Sequence, residues 1–222
     1  MLEPVTLNIM KWIDALRPSC GIVTVLLLIS GFNIIKQPVN PYIALAIFCI
    51  TSTAMLWNDL YDREIDLNKG KILASQYPNK FFYYSLFLTT VSFIFSTIVI
   101  ASDLFSGLLC FALLAVSIIY NYIQNVPVVK NLSISFSTGA ILLFPMFKFG
   151  NNVVLWAMIF IVILVVSARE YIKDVEDMEI DRNKKQTLAL IINDQMRTKE
   201  VKRWKLILTI LIIIISLFGF LY

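Results

Sequence analysis

The chain of 222 residues contains no histidine, which removes imidazole general bases, histidine haem ligation and the usual zinc hydrolase sites before any motif is considered. Its three cysteines, Cys20, Cys49 and Cys110, fall in apolar stretches without C-x-x-C spacing. They read as packing residues, with neither a disulfide framework nor a zinc site expected. Glycine is scarce at seven residues, and no Walker-type loop, dinucleotide-binding glycine pattern, repeat or low-complexity segment is visible. Nucleotide chemistry is therefore unsupported. Charge is sparse as well, at 15% of residues. Carboxylates, Lys, Arg, Tyr and bound metal are left to carry any chemistry.

What the chain has in abundance is apolar residues: 59% are hydrophobic and the mean hydropathy is +0.79. Repeated apolar runs of about 17 to 25 residues are what a hydrocarbon core of roughly 30 Å requires of a helix. The fold class expected is an all-α, polytopic membrane helical bundle of about seven transmembrane helices in one domain, residues 1–222. The spans are predicted near 13–35, 41–58, 81–101, 104–123, 131–149, 152–172 and 205–222. The first run is too long for a signal-peptide core and lacks a small-residue cleavage site, so it is expected to be a mature helix.

With the N-terminus cytoplasmic, only Lys36 and Lys148 of the 19 basic residues fall on the far side. The positive-inside rule then predicts a multi-pass cell-membrane protein with loops 58–80 and 169–204 both cytoplasmic, able to form one site. The net charge of +4 reflects this topology and attraction to anionic lipid, and gives no reason to invoke nucleic acid.

Those two loops hold two acidic strings, 58–66 and 173–181, each at the end of an apolar run. Carboxylates beside membrane spans are costly and usually mark function. In the first, Asn58, Asp62 and Asp66 are spaced i, i+4, i+8, so a helix continuing from the second span places them near one face. In the second, Asp174, Asp177 and Asp181 are spaced i, i+3, i+7, again one helical face. Brought together, such faces gather carboxylates that cannot all remain ionised without a cation. Oxygen-only ligands favour Mg²⁺, which shares its coordination between protein carboxylates and substrate phosphates, so a diphosphate is the natural substrate. Arg63, Lys69, Lys71, Lys130, Arg169, Lys173, Lys184 and Lys185 are the nearby cations that could meet the remaining phosphate oxygens. The Lys and Arg residues near 197–205 read as ordinary solvated loop charge.

The strings Asn58-Asp59-x-x-Asp62-x-x-x-Asp66 and Arg169-Glu170-Tyr171-x-Lys173-Asp174-x-x-Asp177-x-x-x-Asp181 resemble the two aspartate-rich motifs of UbiA-type intramembrane prenyltransferases. Leu16-Arg17-Pro18, Tyr120-Asn121, Lys130-Asn131 and Thr187-Leu188 extend the resemblance over roughly residues 12–190. Where the family commonly reads Asn-Lys-x-x-Arg-Pro-Leu, this chain has Asn68-Lys69-Gly70-Lys71-Ile72-Leu73. The resemblance implies a polyprenyl transferase that holds an allylic polyprenyl diphosphate through two Mg²⁺ ions, its tail lying in a groove open to membrane lipid. It implies metal binding by Asn58, Asp62, Asp66, Asp177 and Asp181, with Asp174 in the same shell, and diphosphate binding by Lys173, Lys130, Arg63 and Lys71. Arg17 either faces the same cavity or is an interfacial snorkelling residue. Tyr120 and Tyr171 are candidates to shield an allylic cation or orient the acceptor, against the general enrichment of Tyr at membrane interfaces.

The acceptor is left open between a lipid, a glycerol phosphate and an aromatic quinone precursor. Alternatives are a terpene cyclase, an isoprenoid-binding homologue without turnover, and an ion-coupled transporter. Transporter sites, however, lie near the bilayer midplane on interrupted helices rather than at span ends. Family members typically have eight or nine helices, so the lipid-facing wall is expected to be open or completed by a second subunit in a homo-oligomer.

Overall fold

The computed structural model describes residues 5–67, 73–123, 126–176 and 198–221, and its regular elements are helical, with no strand among the described residues. In chain order they are α1 (Val5–Ala15), α2 (Pro18–Ile34), α3 (Pro41–Tyr61), α4 (Arg63–Asp66), α5 (Leu73–Gln76), α6 (Pro78–Ser102), α7 (Leu104–Ile123), α8 (Pro127–Ala140), α9 (Leu143–Phe149), α10 (Val153–Glu176) and α11 (Thr198–Phe218). Four of them open on proline, whose missing N–H has no helical partner in the first turn and whose fixed φ already suits a helix. Others are capped by side chains. Asp103 Oδ1 accepts from Phe105 N at 3.2 Å, starting α7, and Asn152 Oδ1 accepts from Val154 N at 2.8 Å, starting α10.

Four helices, α3, α6, α7 and α10, are long and apolar enough to cross a membrane. A fifth span arises if Val128–Ala140 and Leu143–Phe149, bent by 43° at their junction, are taken as one. The sequence suggested about seven. The difference has local causes. The first expected span is broken at Arg17, because Pro18 disfavours the α-region for the residue before it, leaving α2 with 17 residues. The span expected at 131–149 bends because Pro145 has no N–H to donate to the Ile141 carbonyl, four residues back. There Ile141 N and Leu142 N instead bond three residues back, to Thr138 O and Gly139 O. The C-terminal α11 carries Lys202, Arg203 and Lys205 in its first half and falls outside the set.

The helices gather into two compact units, Met1–Val25 with Asn40–Asn121, and Leu26–Val39 with Tyr122–Tyr222. In the first, α3 packs along α6 through a polar seam in which Thr53 Oγ1 and Ser92 Oγ lie 3.0 Å apart and Trp57 Nε1 donates to Thr89 Oγ1 at 2.9 Å. Small buried serines on α6, Ser85, Ser92 and Ser96, let the backbones approach, as is common where lipid provides no hydrophobic drive for helix association. Near the end of α3, Leu56, Ala74 and Phe81 form a buried cluster covered by Trp12, whose ring lies 5.9 Å from Phe81 and 5.5 Å from Tyr84. That cluster anchors the helix end carrying the first acidic string.

In the second unit α10 packs on α8 and α11. Ile172, Val175 and Val201 form its buried patch beside the second acidic string, with Tyr171 and Leu208 packed against it. Elsewhere in this unit the backbone N–H of Gly219 donates to the buried Ser30 Oγ at 2.7 Å.

Candidate functional site

The first string begins in the last turn of α3, which carries Asn58 and Asp59 and stops at Tyr61. Asp62 occupies the break, with φ −87° and ψ 7°, and α4 adds one turn ending at Asp66. The uninterrupted helix expected from sequence is therefore interrupted at Asp62 itself. Helical bonds nonetheless span the break, with Asp62 N donating to Asn58 O at 2.9 Å and Asp66 N to Asp62 O at 2.8 Å. The one-face alignment of Asn58, Asp62 and Asp66 survives because these i→i−4 bonds hold the helical rise and turn. Asn58 Nδ2 also donates to Asp62 Oδ2 at 3.2 Å.

Asp59, Asp62 and Asp66 are all buried, and grouped buried carboxylates require compensating positive charge. Arg17 supplies it to Asp59 through an Nη2–Oδ1 ion pair, while its Nη1 lies 3.3 Å from Met55 Sδ. Arg17 has a backbone conformation that a side-chain-bearing residue rarely adopts, φ +46°, which costs about 1 kcal/mol or more. Arg63 is exposed on α4, and its carbonyl accepts from Ser75 Oγ at 2.5 Å. Lys71 lies outside the described residues.

The second string leaves the membrane-spanning part of α10. Asp174 is 2% exposed and both of its carboxylate oxygens are engaged by α8: Oδ1 by the ammonium of Lys130, Oδ2 by Asn131 Nδ2 at 3.0 Å. Behind this pair, Ser135 Oγ donates to Asn131 O at 2.6 Å and Ser167 Oγ to Ser135 Oγ at 2.8 Å, tying α8 to α10. One turn earlier, buried Glu170 accepts from Arg169 Nη1 at 2.6 Å, and Lys173 Nζ stands 4.0 Å from its other oxygen. The Lys173 side chain remains 42% exposed, the most accessible cation on this end of α10 after Arg169 is pinned. Tyr171 packs on the Ile172 patch, and Tyr120 is half-buried on α7. Asp177 and Asp181 lie outside the described residues.

The structure thus keeps Asn58, Asp62 and Asp66 near one helical face in the first unit, and pairs Lys130 with Asp174 in the second. Among the described residues no group of three or more Asp, Glu, Cys or His side chains is placed to hold a metal ion. The donor set of the first string, two carboxylates and one amide, is a partial shell of hard oxygens. Such a set fits a magnesium ion that completes its shell with water and substrate phosphate oxygens, and it suits no soft metal. Three contributors were quoted within the motifs but given no role of their own from sequence: Asp59, Glu170 and Asn131.

A model of the UbiA prenyltransferase family matches residues 20–222. Among curated proteins, the chain is similar to the digeranylgeranylglyceryl phosphate synthase of Methanobrevibacter smithii, 27% identical over 77% of this chain and 64% of that protein. The synthase of the same name from Methanosarcina mazei is 30% identical over 62% of this chain and 49% of its own length. That of Methanosphaera stadtmanae is 29% identical over 92% of this chain and 76% of its own. The chain therefore spans less than two thirds of the length of the first two relatives. Its fold matches a solved structure described as concerning digeranylgeranylglyceryl phosphate synthase in membranes, with a TM-score of 0.64 at 20% identity, over 96% of this chain and 77% of that one.

Proposed function

Because the chain belongs to the UbiA prenyltransferase family, we propose that it transfers a polyprenyl group from an allylic isoprenoid diphosphate to a glyceryl-phosphate lipid and releases diphosphate. The observation that carries this reading is the family match across two acidic strings, each at the end of an apolar, membrane-length helix. The choice of acceptor rests on the relatives, all named for a glyceryl phosphate bearing geranylgeranyl groups. The charge count favours a cell-membrane location with the N-terminus and both strings cytoplasmic, where a soluble diphosphate headgroup is accessible.

Asn58, Asp62 and Asp66 of the first string would hold Mg²⁺, and the family resemblance gives Asp177 and Asp181 the same role in the second. When bound, the ion neutralises charge that builds on the departing diphosphate. Lys173 and Arg63, the accessible cations beside the two strings, bind the diphosphate oxygens, with Lys71 a third candidate. The C1–O bond of the donor breaks and its electron pair leaves with the diphosphate. The allylic cation left behind is captured by an acceptor hydroxyl oxygen, which then loses its proton. Apolar helices keep water from the cation, which water would otherwise consume.

The test is Mg²⁺-dependent diphosphate release from geranylgeranyl diphosphate in nanodiscs, with a panel of glyceryl-phosphate, aromatic and absent acceptors and mass analysis of products. An ether-linked glyceryl phosphate is expected, lost in chelator and in Asp62→Asn. A prenylated aromatic would replace the acceptor assignment, cyclised hydrocarbon without acceptor would replace transfer with cyclisation, and full turnover in chelator would refute the metal reading.

A further inference from the structure

Two buried acids share one face of α10 and are neutralised in different ways. Ser167, Glu170 and Asp174 are spaced i, i+3, i+7, one helical stripe. The outer two members of that stripe bond across to α8, Ser167 to Ser135 and Asp174 to Lys130 and Asn131. Glu170 lies between them and is nearly as deeply buried as Asp174. Its carboxylate, however, meets cations of its own helix, Arg169 one residue before it and Lys173 one turn after it. Such a pairing ties no two helices together.

Burying a carboxylate is costly, so an acid whose cations lie within one helix calls for a use other than adhesion. The two cations reach outward: their side chains are 34% and 42% exposed, at the end of α10 where the second acidic string begins. Arg169 gives one nitrogen, Nη1, to Glu170 Oε1 at 2.6 Å, and a guanidinium has further N–H donors on its other edge. Lys173 Nζ stands 4.0 Å from Oε2, near enough to be drawn by the charge and too far to be fixed by a hydrogen bond. A long cationic side chain loses rotamer freedom when it binds an anion, and one already gathered by a buried carboxylate loses less. Two cations against one carboxylate leave the group a net charge of +1, with N–H donors to offer an oxyanion.

We propose that Glu170 is a positioning residue that gathers Arg169 and Lys173 into one diphosphate-binding pincer, its carboxylate rooted between the two contacts with α8 and its cations turned outward. This rests on the diphosphate reading of the function proposed above. It adds Arg169 to the cations that meet diphosphate and gives a role to a buried acid that no step of the transfer uses.

The experiment measures, for the full chain in nanodiscs, the affinity of inorganic diphosphate with Mg²⁺ by calorimetry and the melting temperature without ligand. Arg169→Ala and Lys173→Ala are each expected to weaken binding about tenfold, the scale of one charge-assisted hydrogen bond. Glu170→Gln keeps the shape and an acceptor oxygen but removes the charge. Coulomb's law alone predicts that losing a negative charge beside the site tightens diphosphate binding. Loss of positioning predicts the opposite sign, a weakening of about three- to tenfold. Because Glu170 acts through Arg169, Glu170→Gln combined with Arg169→Ala should lose less affinity than the product of the two single factors. The same combination should melt higher than Arg169→Ala alone, since it removes a buried carboxylate left without its bonded cation. A residue that only holds the fold together would lower the melting temperature and leave the affinity of the folded fraction unchanged.

Tighter or unchanged binding in Glu170→Gln would overturn the proposal, as would a double variant whose loss is the full product of the single losses. If Glu170→Gln does not fold, Glu170→Asp decides. It keeps the charge but draws it back from both cations by one methylene, so weakened binding supports the proposal and unchanged binding refutes it. A wild-type chain that binds no inorganic diphosphate also refutes it. Binding with the expected pattern of variants, but without release of diphosphate from geranylgeranyl diphosphate, leaves the positioning role standing and removes the transfer reaction instead.

Discussion

Two ion pairs lie two residues apart on α10, and truncating them should have very different consequences. Asp174 is buried against Lys130 and Asn131, with side-chain exposures of 13% for Lys130 and 3% for Asp174. Glu176 meets Lys205 of α11 at the surface, with exposures of 33% and 41%. Asp174→Ala leaves an ammonium uncompensated and an amide N–H without its acceptor, and breaking such a buried pair from one side costs about 3–5 kcal/mol. Glu176→Ala removes an exposed pair worth about 0–1 kcal/mol. For a chain of this size about 2–4 °C of melting temperature corresponds to each kcal/mol, so the expected losses are roughly 6–20 °C for Asp174→Ala and under about 4 °C for Glu176→Ala. Melting followed by tryptophan fluorescence at fixed detergent and scan rate reads both. Raising the salt should shrink the Glu176 effect and leave that of Asp174 largely intact, because buried pairs are screened far less. Lys130→Met combined with Asp174→Leu should recover part of the loss, since removing both charges together avoids the unpaired one. Equal shifts for the two alanine variants, or a salt dependence at Asp174 as strong as at Glu176, would refute the buried pairing.

Gly107 faces the backbone of Ile100, and a Cβ there would stand 2.6 Å from both its N and its Cα. Because backbone cannot rotate away, Gly107→Ala should push α7 from α6 and destabilise by about 1–3 kcal/mol, read as a lower melting temperature, whereas an unchanged value would contradict this close approach. At the end of α2, Lys36 sits at φ +55° while its N–H donates to Asn33 O and that of Gln37 to Phe32 O, the bonding of a helix stop normally made with glycine. Lys36→Gly should therefore raise stability by up to about 1 kcal/mol, and a fall in melting temperature would count against the assigned conformation. Finally, the proposed donor carries its tail in membrane hydrocarbon, where each buried methylene adds about 0.8 kcal/mol. The kcat/KM should be higher for twenty-carbon than for five-carbon allylic diphosphates, and equality of the two would rule that advantage out.

Much of this was readable along the chain. Long apolar runs demand helices in a membrane because no other open structure satisfies its own backbone there. The prolines at 18, 41, 78 and 127 mark helix starts by local sterics alone, and the i, i+4, i+8 spacing of Asn58, Asp62 and Asp66 needs only helical periodicity. Less legible were the breaks at Arg17 and near Ile141. Pro18 and Pro145 announce them, yet the surrounding apolar runs are long enough to be read straight through.

The sequence by itself determined the class of the protein, the helical faces on which its acids lie and the family whose motifs they resemble, because each depends on residues within a few turns of one another. It could not determine which charge neutralises which. For Arg17, Lys130 and Lys173 the sequence names no partner. Only tertiary structure sets Arg17 against buried Asp59 and Lys130 against buried Asp174, across 42 and 44 residues, and leaves Lys173 exposed. The partner of a buried charge is selected by how helices pack, where the interior's low polarity makes an unpaired ion too costly to keep.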